Sequence, residues 1–485
     1  SSKVPKTMST QHPDNANTPF FSNQEELAGE DEIKEAFYAY SHLKCKEQLW
    51  DCEGKEVDNY VVKKLLTNYD NYFKRHKLGE DIFLTLRVPN PFIEKAEAKI
   101  LLETLNSIPR NFDSASLFYG EKIAPIFEIA QPMTSSAKEL IYISEYYKKH
   151  IIGQKKESIN GLRIVDWIGD FEPESIRIIP LFEDYDGILN AASEVKKFIQ
   201  HEKIKDYQRV WLARSDPALN YGSLSAILLD KVALQQLEQV EKQTSVEIMP
   251  ILGCGSAPFR GNLHPDNVQN ILKGYPSVHT FTLQSAFKYD YPIESVEKGI
   301  KDINDSVCKK PTQLDEKRCI KIIDALTKEY QKQVLPLAPL INEIAAFIPN
   351  RRKRKMHIGL FGYSRSMGKA KLPRAIKFCG ALYSLGIPPD LLGLNALSKK
   401  DFEYILQVVP SYLEDLKDAI ALLNEQNFKK LAPQVYKKIK PFIDSIEQEP
   451  DPKHEKITSI ILENYEKRQS SILQENILRA GFVRR

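Results

Sequence analysis

Glu183 and Asp216 each close an apolar run, in PLFEDYD (180–186) and WLARSDP (211–217). If those runs are neighbouring parallel strands, their ends lie within about ten ångströms of each other. Two hard carboxylate oxygens at one mouth suit Mg2+ or Mn2+, which leave open positions for water and substrate oxygens. Each residue alone also fits a helix start, where the dipole favours an acid and an N-cap accepts a backbone N–H. Arg87, Arg260, Arg365 and Arg374 form a second group. A guanidinium fork holds phosphate or carboxylate through paired charge-assisted hydrogen bonds, so several converging arginines call for a ligand with more than one anionic group. The glycine-rich GCGSAPFRG (253–261) around Arg260 adds backbone amides that approach an oxyanion closely. Any one of these arginines taken alone reads first as a surface salt bridge, and a lone Gly-x-Gly is weak. His12, in TQHPDN (10–15), sits in a loop beside a proline. An imidazole titrates near neutral pH when nothing perturbs it, which suits general acid–base work, but a lone loop histidine is commonly just solvated.

These residues need a scaffold that gathers strand ends. Short β-branched or aromatic runs alternate with longer amphipathic helical stretches, the pattern of parallel βα units. The strand-like runs fall at 47–51, 82–88, 124–130, 176–182, 208–214, 247–253, 279–284 and 357–362. Several are almost continuously apolar, as strands buried on both faces must be. The fold class is α/β, a (β/α)8 TIM-like barrel with additional α-helices, and chemistry then gathers at the C-terminal strand ends. Those ends offer Asp51 and Glu53, Arg87, Glu128, Glu183, Ser215 and Asp216, Gly253 and Gly255 leading to Arg260, Gln284, and Arg365. The chain reads as a single domain over 1–485, with barrel strands spanning roughly 47–362 and an N-terminal catalytic loop at 7–18. A helical insertion is expected at 293–350 and a helical C-terminal region at 366–485. The run Arg351-Arg352-Lys353-Arg354-Lys355 reads as a solvated helix end, with contact to nucleic acid or an anionic effector as the alternative.

Composition narrows the classes. Hydrophobic residues make up 42% and charged residues 27%, which excludes the disordered regime. A net charge of +3 provides no field for sequence-independent nucleic-acid binding. The six cysteines show no CxxC pair or zinc spacing and read as reduced thiols. No apolar run approaches the roughly 20 residues that cross a bilayer, and no signal-peptide core is present, so a cytoplasmic address is expected without a membrane partner.

In their order these motifs resemble the phosphoenolpyruvate carboxylases, and KVPKTMSTQHPDN (3–15) with the compact length resembles the archaeal type. TQHPDN is similar to the family's TAHPTE loop at His12 and Pro13, and TLRVP (85–89) to its LDxRQ strand at Arg87. DCEGKEVDN (51–59) loosely resembles GGDRDGNP, with Lys55 near its arginine. PLFED resembles the metal-binding PLFET motif at Glu183, and ARSDP the GYSDS motif at Asp216. FRG (259–261) resembles the GRGG loop at Arg260, and TLQSAFKYDYP (282–292) resembles TEQGE and FKYG, with Gln284 in the first part. GYSRS and LPRAI resemble the segments that carry the family's substrate arginines, onto Arg365 and Arg374.

The resemblance implies His12, Arg87 and Arg260 as catalytic residues, Arg365, Arg374 and Gln284 as substrate-binding, and Glu183 and Asp216 as ligands of Mg2+ or Mn2+. It implies carboxylation of phosphoenolpyruvate with bicarbonate to oxaloacetate and phosphate, through carboxyphosphate and a pyruvate enolate, in a homotetramer built as a dimer of dimers. Two departures stand out. Leu219 and Asn220 occupy the place of a family lysine, and Leu252 and Cys254 that of a histidine and an arginine. Arg214, next to the Ser-Asp pair, is the residue here that would supply the missing positive charge. The chain closes on Arg484-Arg485 instead of the small residues that help bind acidic inhibitors, so sensitivity to aspartate or malate is not expected. Two other readings keep parts of this pattern: a metal-dependent barrel lyase or aldolase of 2-oxo-acid enolate chemistry, and an inactive homologue that binds phosphoenolpyruvate without turning it over.

Overall fold

The computed structural model describes residues 3–52, 58–353, 366–367 and 370–483. Eight strands close into a barrel: β1 (Thr7–Ser9), β2 (Glu47–Asp51), β3 (Phe83–Arg87), β4 (Glu128–Gln131), β5 (Arg177–Phe182), β6 (Tyr207–Ala213), β7 (Glu247–Gly253) and β8 (Thr280–Leu283). Each is hydrogen-bonded to its sequence neighbours, β8 pairs with β1, and every pair is parallel. The strands are largely buried, because one face meets helices and the other fills the barrel. Met8, Leu49, Ala130, Ile179, Leu181, Trp211, Ala213 and Ile251 form that inner filling.

The first strand corrects the expected order. The segment expected as the eighth strand, 357–362, lies outside the described residues, and the ring is closed instead by Thr7–Ser9, between β2 and β8. The loop that carries His12 is therefore a βα loop of the barrel itself. Three residues give too short a run for any periodicity to mark them as a strand.

A second correction concerns Glu128. It opens β4 instead of closing it, and it faces the floor of the barrel, not the mouth. There the Arg209 guanidinium donates to Glu47 at 2.8 Å from each of two nitrogens, to Glu128 Oε1 at 2.7 Å and to Thr280 Oγ1 at 3.2 Å. Burial pushes the Glu128 carboxyl above its usual range even against the pull of Arg209.

Helices surround the ring. Those that position the site are α1 (Glu30–Ser41), α2 (Tyr185–Glu202), α3 (Ser215–Tyr221) and α4 (Ser223–Thr244). Asp184 caps α2 by accepting the Gly187 N–H at 2.7 Å, so the acid after Glu183 in PLFED fixes the helix start. The segment 293–350 contributes α5 (Ile293–Asp305), α6 (Glu316–Val334) and α7 (Ala338–Ala345). The C-terminal layer includes α8 (Ala375–Ser384) and α9 (Tyr412–Ile420). Because α6 packs over α4, α4 is buried nearly all round, including Asp230 and Lys231.

Candidate active site

The mouth is assembled from strand ends. β1 runs into Thr10, whose N–H donates to Leu283 O at 3.0 Å, while His12 O accepts the N–H groups of Asp14 at 3.1 Å and Ser285 at 3.2 Å. The histidine loop is thus fastened to the end of β8. His12 Nδ1 lies 2.8 Å from Thr10 Oγ1. Beneath the loop, buried Lys288 donates to Ser9 Oγ at 2.8 Å and to Thr10 O at 3.0 Å. Burial draws the lysine below its usual range, although Glu35 at 3.5 Å works the other way. Glu35 also accepts Arg352 at 3.0 Å. Burial alone would raise its carboxyl, but Arg352 and Lys288 outweigh that and hold it near a pKa of about 2.

Arg351 and Arg352 therefore overturn the solvated reading of the basic run. Arg352 is buried against Glu32 and Glu35 of α1, and Arg351 donates to Ala16 O at 2.7 Å. From Glu32 the network continues through Gln11, whose side chain donates to Glu32 and accepts the Asp51 N–H at 2.9 Å. Asp51 in turn takes Arg87 in a two-point pair at 3.1 and 2.7 Å. Such a pair orients the guanidinium as well as binding it, so Asp51 serves Arg87 from the end of β2.

Arg260 is placed with equal care. It donates to Asp14 Oδ2 at 3.0 Å and to Gln284 Oε1 at 2.5 Å, and Asp14 Oδ1 accepts the Ala286 N–H at 2.7 Å. Gly255 is required beneath it, since a Cβ there would lie 2.4 Å from one guanidinium nitrogen. Glu183, buried at the end of β5, accepts the Met133 N–H at 2.6 Å. Asp216 stands in the first turn of α3, and Arg374 immediately precedes α8.

His12, Arg87, Glu183, Arg214, Asp216, Arg260, Gln284 and Arg374 all line one cavity of about 110 Å³ at the C-terminal ends of the strands. Arg365, with Glu53 and Lys55, lies outside the described residues. A neighbouring cavity of about 640 Å³ shares Arg260 and Arg374. Arg87 and Arg260 hydrogen-bond to carboxylates, whereas the Arg214 guanidinium donates to neutral groups, Phe259 O at 3.0 Å and Ser223 Oγ at 3.0 Å. Residue reading alone missed Asp14, Gln11 and Lys288, although all three stand inside motifs quoted for other residues.

The donor set fits a hard divalent cation: Glu183 and Asp216 are the carboxylates of this cavity that would hold it, and they share the lining with the arginines. Another grouping, Glu145, His201 and Glu202, is mostly exposed and sits at helix C-terminal ends, on the face opposite the mouth. Glu202 already pairs there with Lys148 at 2.5 Å.

A closed parallel barrel with these groups at its mouth defines an enzyme that handles a multiply anionic substrate. The chain matches the sequence model of the phosphoenolpyruvate carboxylase family over residues 4–485 and belongs to that family. It is 52% identical over 485 residues to a phosphoenolpyruvate carboxylase of Methanospirillum hungatei JF-1, covering 100% of this chain and 99% of the relative. The corresponding protein of Methanothermobacter thermautotrophicus is 51% identical over 484 residues, with 100% and 99% covered. That of Pyrococcus abyssi is 48% identical over 447 residues, with 92% and 94% covered. Among solved structures, an HpcH/HpaI aldolase/citrate lyase family protein from Burkholderia cenocepacia J2315 aligns at TM-score 0.32 and 12% identity, over 58% of this chain and 89% of that one.

Proposed function

We propose that the chain is a carboxy-lyase that carboxylates phosphoenolpyruvate with bicarbonate, giving oxaloacetate and phosphate. The observation that carries this reading is one cavity lined by the metal-type carboxylates, the histidine and the arginine clamp, in a chain about half identical to named phosphoenolpyruvate carboxylases over its full length. Arg87 and Arg260 hold the anionic groups of the two substrates, with Arg374 and Gln284 completing the clamp. Bicarbonate oxygen attacks phosphorus, the bond from phosphorus to the enol oxygen breaks, and carboxyphosphate and pyruvate enolate result. Glu183 and Asp216 would hold Mg2+ or Mn2+, which when bound would supply positive charge for the developing enolate oxygen.

His12 takes the carboxyphosphate proton as CO2 and phosphate separate. With Nδ1 beside Thr10 Oγ1, the transfer uses Nε2. The enolate carbon then attacks CO2. Enclosure by the βα loops keeps water from protonating the enolate to pyruvate. Arg365 belongs to the substrate clamp on the resemblance alone.

The homotetramer that the resemblance implies needs an apolar surface. Ile159, Leu162, Trp167 and Ile168 are exposed together on the excursion between β4 and β5, and light scattering of wild type against a W167E/I168E variant tests that surface. Among the described residues no helix is long and apolar enough to cross a membrane. The activity is tested by oxaloacetate formation with and without bicarbonate. Turnover that ignores bicarbonate would move the chain to lyase or aldolase chemistry.

A further inference from the structure

The loop that carries Arg260 is held on both sides of the arginine, through Phe259 and through Asn262. Phe259, the residue before Arg260, has both backbone polar groups engaged. Its carbonyl accepts Arg214 at 3.0 Å, and its N–H donates to Tyr383 Oη at 3.0 Å. Tyr383 Oη in turn donates to Asp390 Oδ2 at 2.7 Å. Arg214, Tyr383 and Asp390 are all buried. On the other side of Arg260, the Asn262 amide donates to Asp415 Oδ1 at 2.9 Å and to Asp418 Oδ2 at 2.8 Å. Tyr383 lies on α8 and Asp415 and Asp418 on α9, so the C-terminal helical layer grips a barrel loop on both sides of its arginine.

Backbone torsions between these anchors leave little slack. Gly261 has φ of +128°, a conformation glycine adopts readily, and a Cβ there would meet Cys254 at 3.0 Å. Asn262 follows with φ of 59°. A loop in this shape relaxes once an anchor is lost. A misplacement of about 1 Å at a substrate-binding group can cost on the order of a hundredfold in rate.

Resting on the carboxylase reading, we infer that Arg214, Tyr383 and Asp390 are positioning residues that act through Arg260 by fixing the backbone of Phe259. Arg214 then lends its charge to the loop and not to the substrate, donating to the Phe259 carbonyl and to Ser223 Oγ. The C-terminal layer becomes part of the catalytic apparatus without contributing a group to the reacting atoms. Asp390 keeps the tyrosine hydroxyl turned so that its lone pair, not its proton, meets the Phe259 N–H.

The test is a double-mutant cycle on the full chain. Y383F should lower kcat/KM for phosphoenolpyruvate by about tenfold, a typical scale for one lost buried hydrogen bond. It should have no further effect in an R260A background, read both on residual turnover and on phosphoenolpyruvate affinity by calorimetry. Effects that add, or a Y383F enzyme indistinguishable from wild type, overturn the inference. If Y383F fails to fold, D390N keeps the shape and should give a smaller loss that also vanishes in R260A, with addition again contradicting it. Hydrogen exchange of the 255–263 peptide reads the brace without turnover. Faster exchange in Y383F supports the brace even if wild type proved not to be a carboxylase, and unchanged exchange overturns it.

Discussion

Replacing Arg209 by Met removes the only cation within hydrogen-bonding distance of Glu47 and Glu128 in the described barrel floor. Arg209 and Glu47 side chains are fully buried and Glu128 nearly so, so no solvent takes over the lost pairing. Breaking a buried ion pair from one side costs about 3–5 kcal/mol, because the partner charge is left uncompensated. For a chain of 485 residues, the unfolding entropy is roughly 1 kcal/mol/K, which converts that loss to a fall in Tm of about 3–5 °C. Glu128, already pushed up by burial, can take a proton once Arg209 is gone. The deficit should therefore be larger at pH 8 than at pH 5. R209M/E47Q/E128Q, with no charge left in the floor, should recover most of the loss. Because the floor lies at the opposite end of the strands from the mouth, kcat/KM below the melting range should stay within about twofold. Calorimetric scans at a fixed rate and at both pH values decide it. An R209M protein melting within 1 °C of wild type, or a triple variant as unstable as the single one, would refute the reasoning.

Other perturbations address the mouth. E183Q and D216N should each weaken Mn2+ binding at least tenfold, measured by electron paramagnetic resonance of free Mn2+ without substrate; unchanged affinity in both removes them as ligands. G255A places a Cβ against the Arg260 guanidinium, so it should lower kcat/KM by tenfold or more with Tm lowered by only a few degrees, and full activity would contradict the packing. Burial, against the pull of the Asn262 amide, raises the Asp415 carboxyl to about 7 and, against Tyr383, the Asp390 carboxyl to about 6. A carboxyl raised on folding stabilises below its unfolded pKa, and that contribution is lost as pH climbs through the folded value. D415N should therefore melt higher than wild type at pH 8, with the gap closing towards pH 5; a gap that is flat with pH contradicts the assignment.

Much of the scaffold was legible because a parallel barrel writes itself as apolar runs. The runs at 47–51, 176–182 and 247–253 coincide with β2, β5 and β7 to within a residue. What escaped reading has a common cause, in partners far apart along the chain. Arg351 and Arg352 look like a solvated basic run until Ala16, Glu32 and Glu35 arrive more than three hundred residues away in sequence. Glu128 marks a strand but not which end of it, because apolarity on both flanks carries no direction. The site itself was read chiefly from motif order. Each of Glu183, Asp216 and Arg260 alone has a structural use, and only the closed ring of strands brings them to one cavity.

The most direct measurement is oxaloacetate formation from phosphoenolpyruvate with Mg2+, with and without bicarbonate, coupled to malate dehydrogenase and NADH, in wild type and H12N. Bicarbonate-dependent turnover in wild type, reduced at least a hundredfold in H12N with phosphoenolpyruvate still bound, is the predicted result. Binding without turnover in wild type, or full activity in H12N, would contradict the account.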